Sequence, residues 1–284
     1  MRTGVVVGLA ALVAVGLGAC APEDSPSGSS TPSGADACAK DKLAVKTAGT
    51  LTVGTDKPAY EPWFSDNNPS NGKGYESAVT YAVAKKLGFE QAQVKWLTVQ
   101  FNTAFAPGPK AFDLDVNQVS ISDERRKAVD FSSGYYGVRQ TVITTAGSKI
   151  ANAKSVAELA DAKLGAQVGT TSYTALRDVV KPKKTPAVFD TNDLAVQALK
   201  NKQIDGIVVD LPTAFYMTAA QLDAGKIVGQ LPSSGTPEQF GFVLSKGSKL
   251  TGCVSQAVDA LKADGTLANL QKQYLTESGA PELS

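Results

Sequence analysis

Phe112 to Tyr136 reads FDLDVNQVSISDERRKAVDFSSGYY. The run starts with strand-like alternation at Phe112, Leu114 and Val116. It breaks into a polar turn at Ser120-Ile121-Ser122-Asp123 and enters a charged helix start, Glu124-Arg125-Arg126-Lys127. A strand that feeds a helix through a Ser-rich turn presents backbone N–H groups without intrahelical partners. The helix start adds partial positive charge, and Arg125 in the first turn adds a full one. Such a corner fits a small carboxylate. Without an anion, basic residues in a first turn oppose the macrodipole and are costly. The same residues also fit an ordinary N-cap at Ser122, with Asp123 and Glu124 offsetting the arginines. Both readings stand at this point.

The chain of 284 residues is long enough for one large or two ordinary domains. Hydrophobic residues at 43% and charged residues at 19% describe a globular chain. Net charge is +1 with no basic tract, so a nucleic-acid footprint is absent. There is no His, which removes His general-base chemistry, His-containing triads and most zinc sites. No cofactor is expected.

Outward toward the N-terminus, Arg2 precedes an apolar stretch from Val5 to Leu17, followed by Gly18-Ala19-Cys20. The stretch is too short and too rich in Gly and Ala for a good membrane span. Its ending, Leu17-Gly18-Ala19-Cys20, resembles the bacterial lipobox. That resemblance implies cleavage after residue 19 and lipidation of Cys20, with several acyl chains making a stable anchor. Residues 21–37, APEDSPSGSSTPSGADA, are rich in Pro, Ser and Gly and read as a flexible tether spanning roughly 20–25 Å. Of the three cysteines, Cys38 and Cys253 then remain in an oxidising compartment, and a bridge between them is expected. Two buried free thiols are the alternative.

Along the body, strands alternate with helices, the pattern of parallel α/β layers. Thr50–Gly54 alternates as a strand and ends in Thr55-Asp56. Tyr60-Glu61-Pro62-Trp63-Phe64 clusters aromatics in a Pro-rich loop, either core or stacking surface. Gly74-Tyr75-Glu76 opens a helix that Gly88 stops. Tyr135–Thr145 reads as one strand, and Phe240–Leu244 as the last. A second α/β series follows Gly147: the strand Lys163–Val168 leads through Gly169-Thr170-Thr171-Ser172 into a helix, a second possible anion cradle. The helix Asn192–Lys200 is expected to turn Leu194, Ala195, Ala198 and Leu199 inward. Asp210 ends the buried strand Ile204–Val209, where ligands of α/β sheets bind, although it also fits an N-cap before Pro212. Two extended crossings, near Val138–Gln140 and Glu238–Phe240, join the halves. No internal repeat is evident.

Several of these segments resemble, in order and at matching spacing, the amino-acid-type extracellular solute-binding proteins of ABC importers. They are Gly49–Asp56, Tyr60–Trp63, Gly74–Glu76, Asn117–Arg125, Val129–Ser132, Tyr135-Tyr136, Gly165–Thr171 and Ile204–Gly206. The resemblance spans about residues 48–275. It implies a two-lobed, type II periplasmic-binding-protein-like α/β fold with a two-strand hinge. Lobe 1 would comprise residues 38–138 plus 240–284 and lobe 2 residues 139–239, after a signal peptide (1–19) and a lipidated tether (20–37). It also implies residue roles. Arg125 pairs the ligand α-carboxylate through its planar fork, with Ser120 adding a backbone N–H and Thr171, beside Thr170, another from the second lobe. Asp210 takes the α-ammonium, with Ser120 or Gln118 sharing it. Tyr60 and Phe101 flank the ligand side chain with Trp63 nearby, and Asp56 faces its far end. Glu76 stands where the family usually has Asp, and Arg139 in the first crossing is unexpected.

The function implied is capture of a free amino acid and its delivery to an ABC permease, by a monomer held at the extracellular face of the cell membrane through Cys20. An enzyme on the same fold, of dehydratase or lyase type, and a ligand-sensing subunit of a signalling system are the rival readings. With no His, an enzyme would draw its acid or base from Asp56, Glu61, Glu76 or a Lys.

Overall fold

Runs of Val, Ile and Leu bounded by turns build two separate five-stranded sheets. The structure is a computed structural model that describes residues 37–233, 237–275 and 280–284. The expected signal peptide, Cys20 and nearly all of the tether lie outside those residues. In the first sheet, β1 (Leu51–Thr55) pairs in parallel with β2 (Val94–Thr98) and β3 (Leu114–Asp115). The chain later adds β4 (Val129–Phe131) and β12 (Val243–Ser245), giving the order β2-β1-β3-β12-β4. The second sheet contains β6 (Gln140–Thr145), β7 (Leu164–Gln167), β8 (Ala187–Phe189), β9 (Gly206–Asp210) and β10 (Gly225–Gln230), in the order β10-β6-β9-β7-β8.

The two orders follow one rule. In each body the second, first and third parallel strands lie side by side, then an antiparallel strand, then a fourth. The antiparallel member is in each case the strand entered after a crossing, β6 in one body and β12 in the other. The two crossings, β5 (Tyr136–Val138) and β11 (Glu238–Phe240), pair antiparallel with each other, Glu238 opposite Val138 and Phe240 opposite Tyr136. The molecule is thus two α/β lobes joined by a two-strand hinge.

Both faces of the second sheet are buried, which explains its near-continuous apolar strands. Val142 and Val208 pack on one side with Leu159, Leu164 and Leu176. Their strand neighbours Ile143, Ile207 and Val209 pack on the other with Ala195, Leu199 and Met217. The first lobe's core joins β1 and β3 to the helices Tyr75–Lys86 and Thr251–Ala263 and to an aromatic group, Trp63, Tyr75, Tyr136 and Phe240. Gly74 opens the first of these helices at φ 89°, and a Cβ there would stand 2.6 Å from the Phe64 Cα. Cys38 and Cys253 are bridged, with Cα atoms 5.4 Å apart, a separation that admits a disulfide.

The structure corrects several readings. Tyr135–Thr145 divides into β5 and β6 at Arg139, and Phe240–Leu244 divides between β11 and β12, because the chain leaves the hinge pair to join a different sheet. The helix after Ser122 is a single turn, Asp123–Arg126. In the helix Asn192–Lys200 the buried residues are Ala195, Val196, Ala198 and Leu199, while Leu194 is 43% exposed. Leu194 lies well off the axis of that buried face at 100° per residue. Residues 280–284 sit on the second lobe, not the first. Gln230 donates to Pro281 at 2.7 Å, Leu283 to Gln230 at 2.9 Å and Val156 to Ser284 at 2.9 Å. Leu283 is buried in the second lobe's core.

Candidate functional site

The parallel strands of both sheets end at one interlobe cavity, where α/β sheets place their ligands. Its atom-free space, opening included, is about 510 Å³. The turn after β3 supplies Arg125. Ser122 caps the helix by accepting from the Arg125 N–H at 3.2 Å, so the N-cap reading holds. The cap does not consume the guanidinium, which turns into the cavity and is buried. It donates to Ser120 O at 2.7 Å and, across the gap, to Gly169 O at 2.8 Å. The Phe105 ring centre lies 4.3 Å from it and that of Phe101 5.7 Å. Burial lowers its pKa to about 10, against the opposing pull of Glu238 and Asp210. It stays a cation at any ordinary pH.

The second lobe faces it with Thr170, Thr171 and Asp210. Thr170 caps the helix that begins at Thr171, accepting from the Tyr173 N–H at 3.1 Å. The Thr171 hydroxyl lies 3.1 Å from that of Ser120, across the gap. Asp210 occupies the N-cap position before Leu211-Pro212, but its side chain makes no capping bond. Gln140 is its register partner across β6 and β9, and the Gln140 amide donates to Asp210 Oδ1 at 2.8 Å. Opposed residues on neighbouring strands bring such side chains together. Burial, then the charge of Glu238, pushes the Asp210 carboxyl up to about 8, against the lowering pull of Gln140 and Arg125. Its remaining exposure is at the cavity it lines.

Asp56, Tyr60, Phe101 and Gln118 line the rest. Asp56 accepts from the Phe101 N–H at 3.2 Å. The Tyr60 hydroxyl donates to Asp193 of the other lobe at 3.1 Å, and burial with that carboxylate raises its pKa. Gln118 takes a left-handed backbone, φ 48°, a strained conformation of the kind found at functional sites. Glu76 holds it there, accepting from its backbone N–H at 2.9 Å and from its side-chain amide. Glu76 is fully buried beside Tyr135, and burial raises it to about 7.

Nine of the ten expected ligand residues therefore line one cavity. Trp63 does not. It is fully buried, edge-on to Tyr136 and Phe240 at 5.4 and 5.5 Å, and donates to the Thr213 hydroxyl at 3.1 Å. Thr213 lines the cavity, so Trp63 stands one layer behind it. Arg139 turns away to Glu282 at 2.7 Å, and Glu61 serves its own loop through Ser65 and Asp66. Sequence reasoning missed Asn117, Gln167, Asn192 and Thr213 on the wall. Gln167 ends β7, so the strand-end rule could have found it. It also missed Gln140 and Glu238, polar residues inside crossings otherwise read only as connections. No cluster of His, Cys, Asp or Glu suited to a metal occurs among the described residues.

Comparison with known proteins agrees with the two-lobed α/β fold. Residues 51–277 match the model of the bacterial extracellular solute-binding proteins, family 3. An L-cystine-binding protein of Bacillus subtilis (strain 168) is 30% identical over 238 residues, 82% of this chain and 84% of that protein. An ancestral arginine-binding protein bound to arginine shares 31% identity at a TM-score of 0.66, covering 80% of this chain and 99% of the other. An ancestral amino acid-binding protein described as a precursor of cyclohexadienyl dehydratase shares 31% identity at 0.66, covering 80% and 96%.

Proposed function

The chain belongs to the bacterial extracellular solute-binding proteins, family 3, and from that premise we propose that it captures a free L-amino acid outside the cell and passes it to an ABC-type permease. One observation carries the reading. A guanidinium from one lobe and an acid with a helix-start threonine from the other line the same cavity. A zwitterion has one end for each. It binds the closed state better than the open one and so shifts the population toward closure. Micromolar affinity requires about −8 kcal/mol. A few charge-assisted hydrogen bonds at roughly 1.5–3 kcal/mol each, with burial against Tyr60 and Phe101, supply that. Asp56 at the side-chain end disfavours acidic ligands by like charge and favours neutral polar or cationic ones.

A thermal-shift screen over the amino acids, cystine included, identifies the ligand, since binding to the folded state raises the midpoint. Calorimetry on Arg125→Ala should then show a loss of roughly 2–5 kcal/mol, because the ligand carboxylate is left unpaired. Wild-type affinity in that variant would overturn the assignment.

Binding rather than catalysis is the reading favoured here. The Asp210 carboxyl is committed to an ammonium, and turnover of any screened ligand into a product would overturn this. Lipidation at Cys20, with anchorage at the extracellular face of the membrane, rests on the Leu17–Cys20 motif. Cys20→Ser should release the protein into the medium, and retention on the membrane would refute the anchor.

A further inference from the structure

We propose that Glu238, in the hinge strand β11, is a positioning residue that makes the cavity select for ligands carrying a free ammonium group. This rests on the amino-acid reading above and adds a residue to it.

Strand β11 has two neighbours. It pairs with β5, and its backbone also bonds the segment carrying Ser120: Ile121 donates to Gln239 O at 2.8 Å and Gly241 to Val119 O at 3.1 Å. Alternate residues of a strand share a face. Glu238 therefore points the same way as Phe240, which is fully buried, while Gln239 turns outward against Gly134. On that inner face Glu238 grips both lobes. Its Oε1 accepts from the Ser120 hydroxyl at 2.5 Å, and its Oε2 accepts from the Gln140 amide at 3.1 Å. The same Gln140 nitrogen donates to Asp210 at 2.8 Å and reaches the Thr171 hydroxyl at 3.3 Å. One amide thus gathers two carboxylates around the place where Ser120 and Thr171 meet.

The charges there do not balance. Once Asp210 is ionised, as a bound ammonium requires, Arg125 brings one positive charge and Asp210 and Glu238 two negatives, with Glu76 adding further repulsion on Asp210. A ligand carboxylate spends the arginine and leaves the acids facing each other. An ammonium placed between Asp210 and the Ser120 hydroxyl restores the balance, and Glu238 favours it without touching it. Glu238 also orients Ser120 and Gln140, so removing its charge and removing its hydrogen bonds have separable effects. A ligand with a carboxylate and no amine gains nothing from Glu238.

The test compares two ligands on two variants by calorimetry. The ligands are the amino acid with the largest thermal shift and its counterpart lacking the α-amino group, which for arginine is 5-guanidinopentanoate. Glu238→Gln keeps the shape and removes the charge. It should weaken the amino acid about tenfold and leave the des-amino acid within twofold or tighter, with Glu238→Asp restoring most of the loss. Equal weakening of both ligands marks a purely structural role and overturns the proposal, as does no change in either. A wild-type protein that binds no amino acid overturns the amino-acid reading itself, a result distinct from wild-type binding that Glu238→Gln leaves unaltered.

Discussion

Under the proposed role of Asp210, a bound ammonium displaces the proton that burial favours there in the ligand-free protein. The Asp210 carboxyl is raised to about 8, first by burial and then by Glu238. A cation at this place favours the ionised form, so binding releases a proton at neutral pH. The sign follows from linkage: a ligand that prefers the deprotonated site binds more tightly as pH rises toward the ligand-free pKa. Affinity should therefore climb from pH 5.5 to 7.5 at up to about tenfold per unit. Calorimetry across that range in wild type and Asp210→Asn checks it. The variant should show a flat profile, and a flat wild-type profile would sink the assignment. Arg125, by contrast, keeps its charge throughout, so the carboxylate end of the ligand contributes no slope of its own. What the residue scale hid from sequence reading was the partner of Asp210. An Asp before Leu-Pro fits an N-cap on local grounds, and only β6 lying antiparallel beside β9 brings Gln140 to it.

Elements carry the correction at Trp63. A Pro-rich loop with three aromatics was open to two readings, stacking surface or core. For Trp63 the core reading holds: the loop tucks its indole under the hinge pair, where Tyr75, Tyr136 and Phe240 enclose it edge-on. Trp63→Phe preserves most of the apolar volume and loses the bond to Thr213. It should cost about 1–3 kcal/mol of unfolding free energy. Ligand affinity should fall less than tenfold, well short of the Arg125→Ala loss. Denaturant unfolding and calorimetry on the one variant decide it. A collapse of affinity with stability intact would mean that the ring reaches the ligand after all. The hinge strands belong to this scale too. They read as connections, and the polar Glu238 in β11 and Gln140 at the start of β6 become meaningful only once β5 pairs with β11 and β6 with β9.

Across the whole molecule, the lobes are joined by more than the hinge. After the helix Thr266–Tyr274 on the first lobe, the chain returns to the second, where residues 280–284 make backbone bonds to Gln230, Lys154 and Val156. The Arg139–Glu282 pair is solvent-exposed and contributes little, so Leu283, 3% exposed, carries most of the docking. Removing residues 280–284 should lower the unfolding midpoint and widen the ligand-free protein in solution scattering, while the ligand-bound dimensions stay the same. Identical ligand-free dimensions would show that this attachment does not limit opening. The Cys38–Cys253 bridge acts at the same scale. It closes a loop of 215 residues, for which chain-entropy models give an upper effect of about 5 kcal/mol. Reduction should therefore lower stability in denaturant without moving any residue of the cavity.

The amino-acid sequence by itself determined the alternation of strands and helices and the two crossings, and its resemblance to the solute-binding family supplied nine of the ten residues assigned to the cavity. These are local or ordered along the chain: periodicity, turn chemistry, and motifs that recur in order. The tertiary structure alone decided that Trp63 is core, that Gln140 and Glu238 face the site, that Arg139 leaves it, and that residues 280–284 cross to the second lobe. Each depends on which distant strand or loop lies alongside, and packing between segments far apart in the chain leaves no periodic trace in either one.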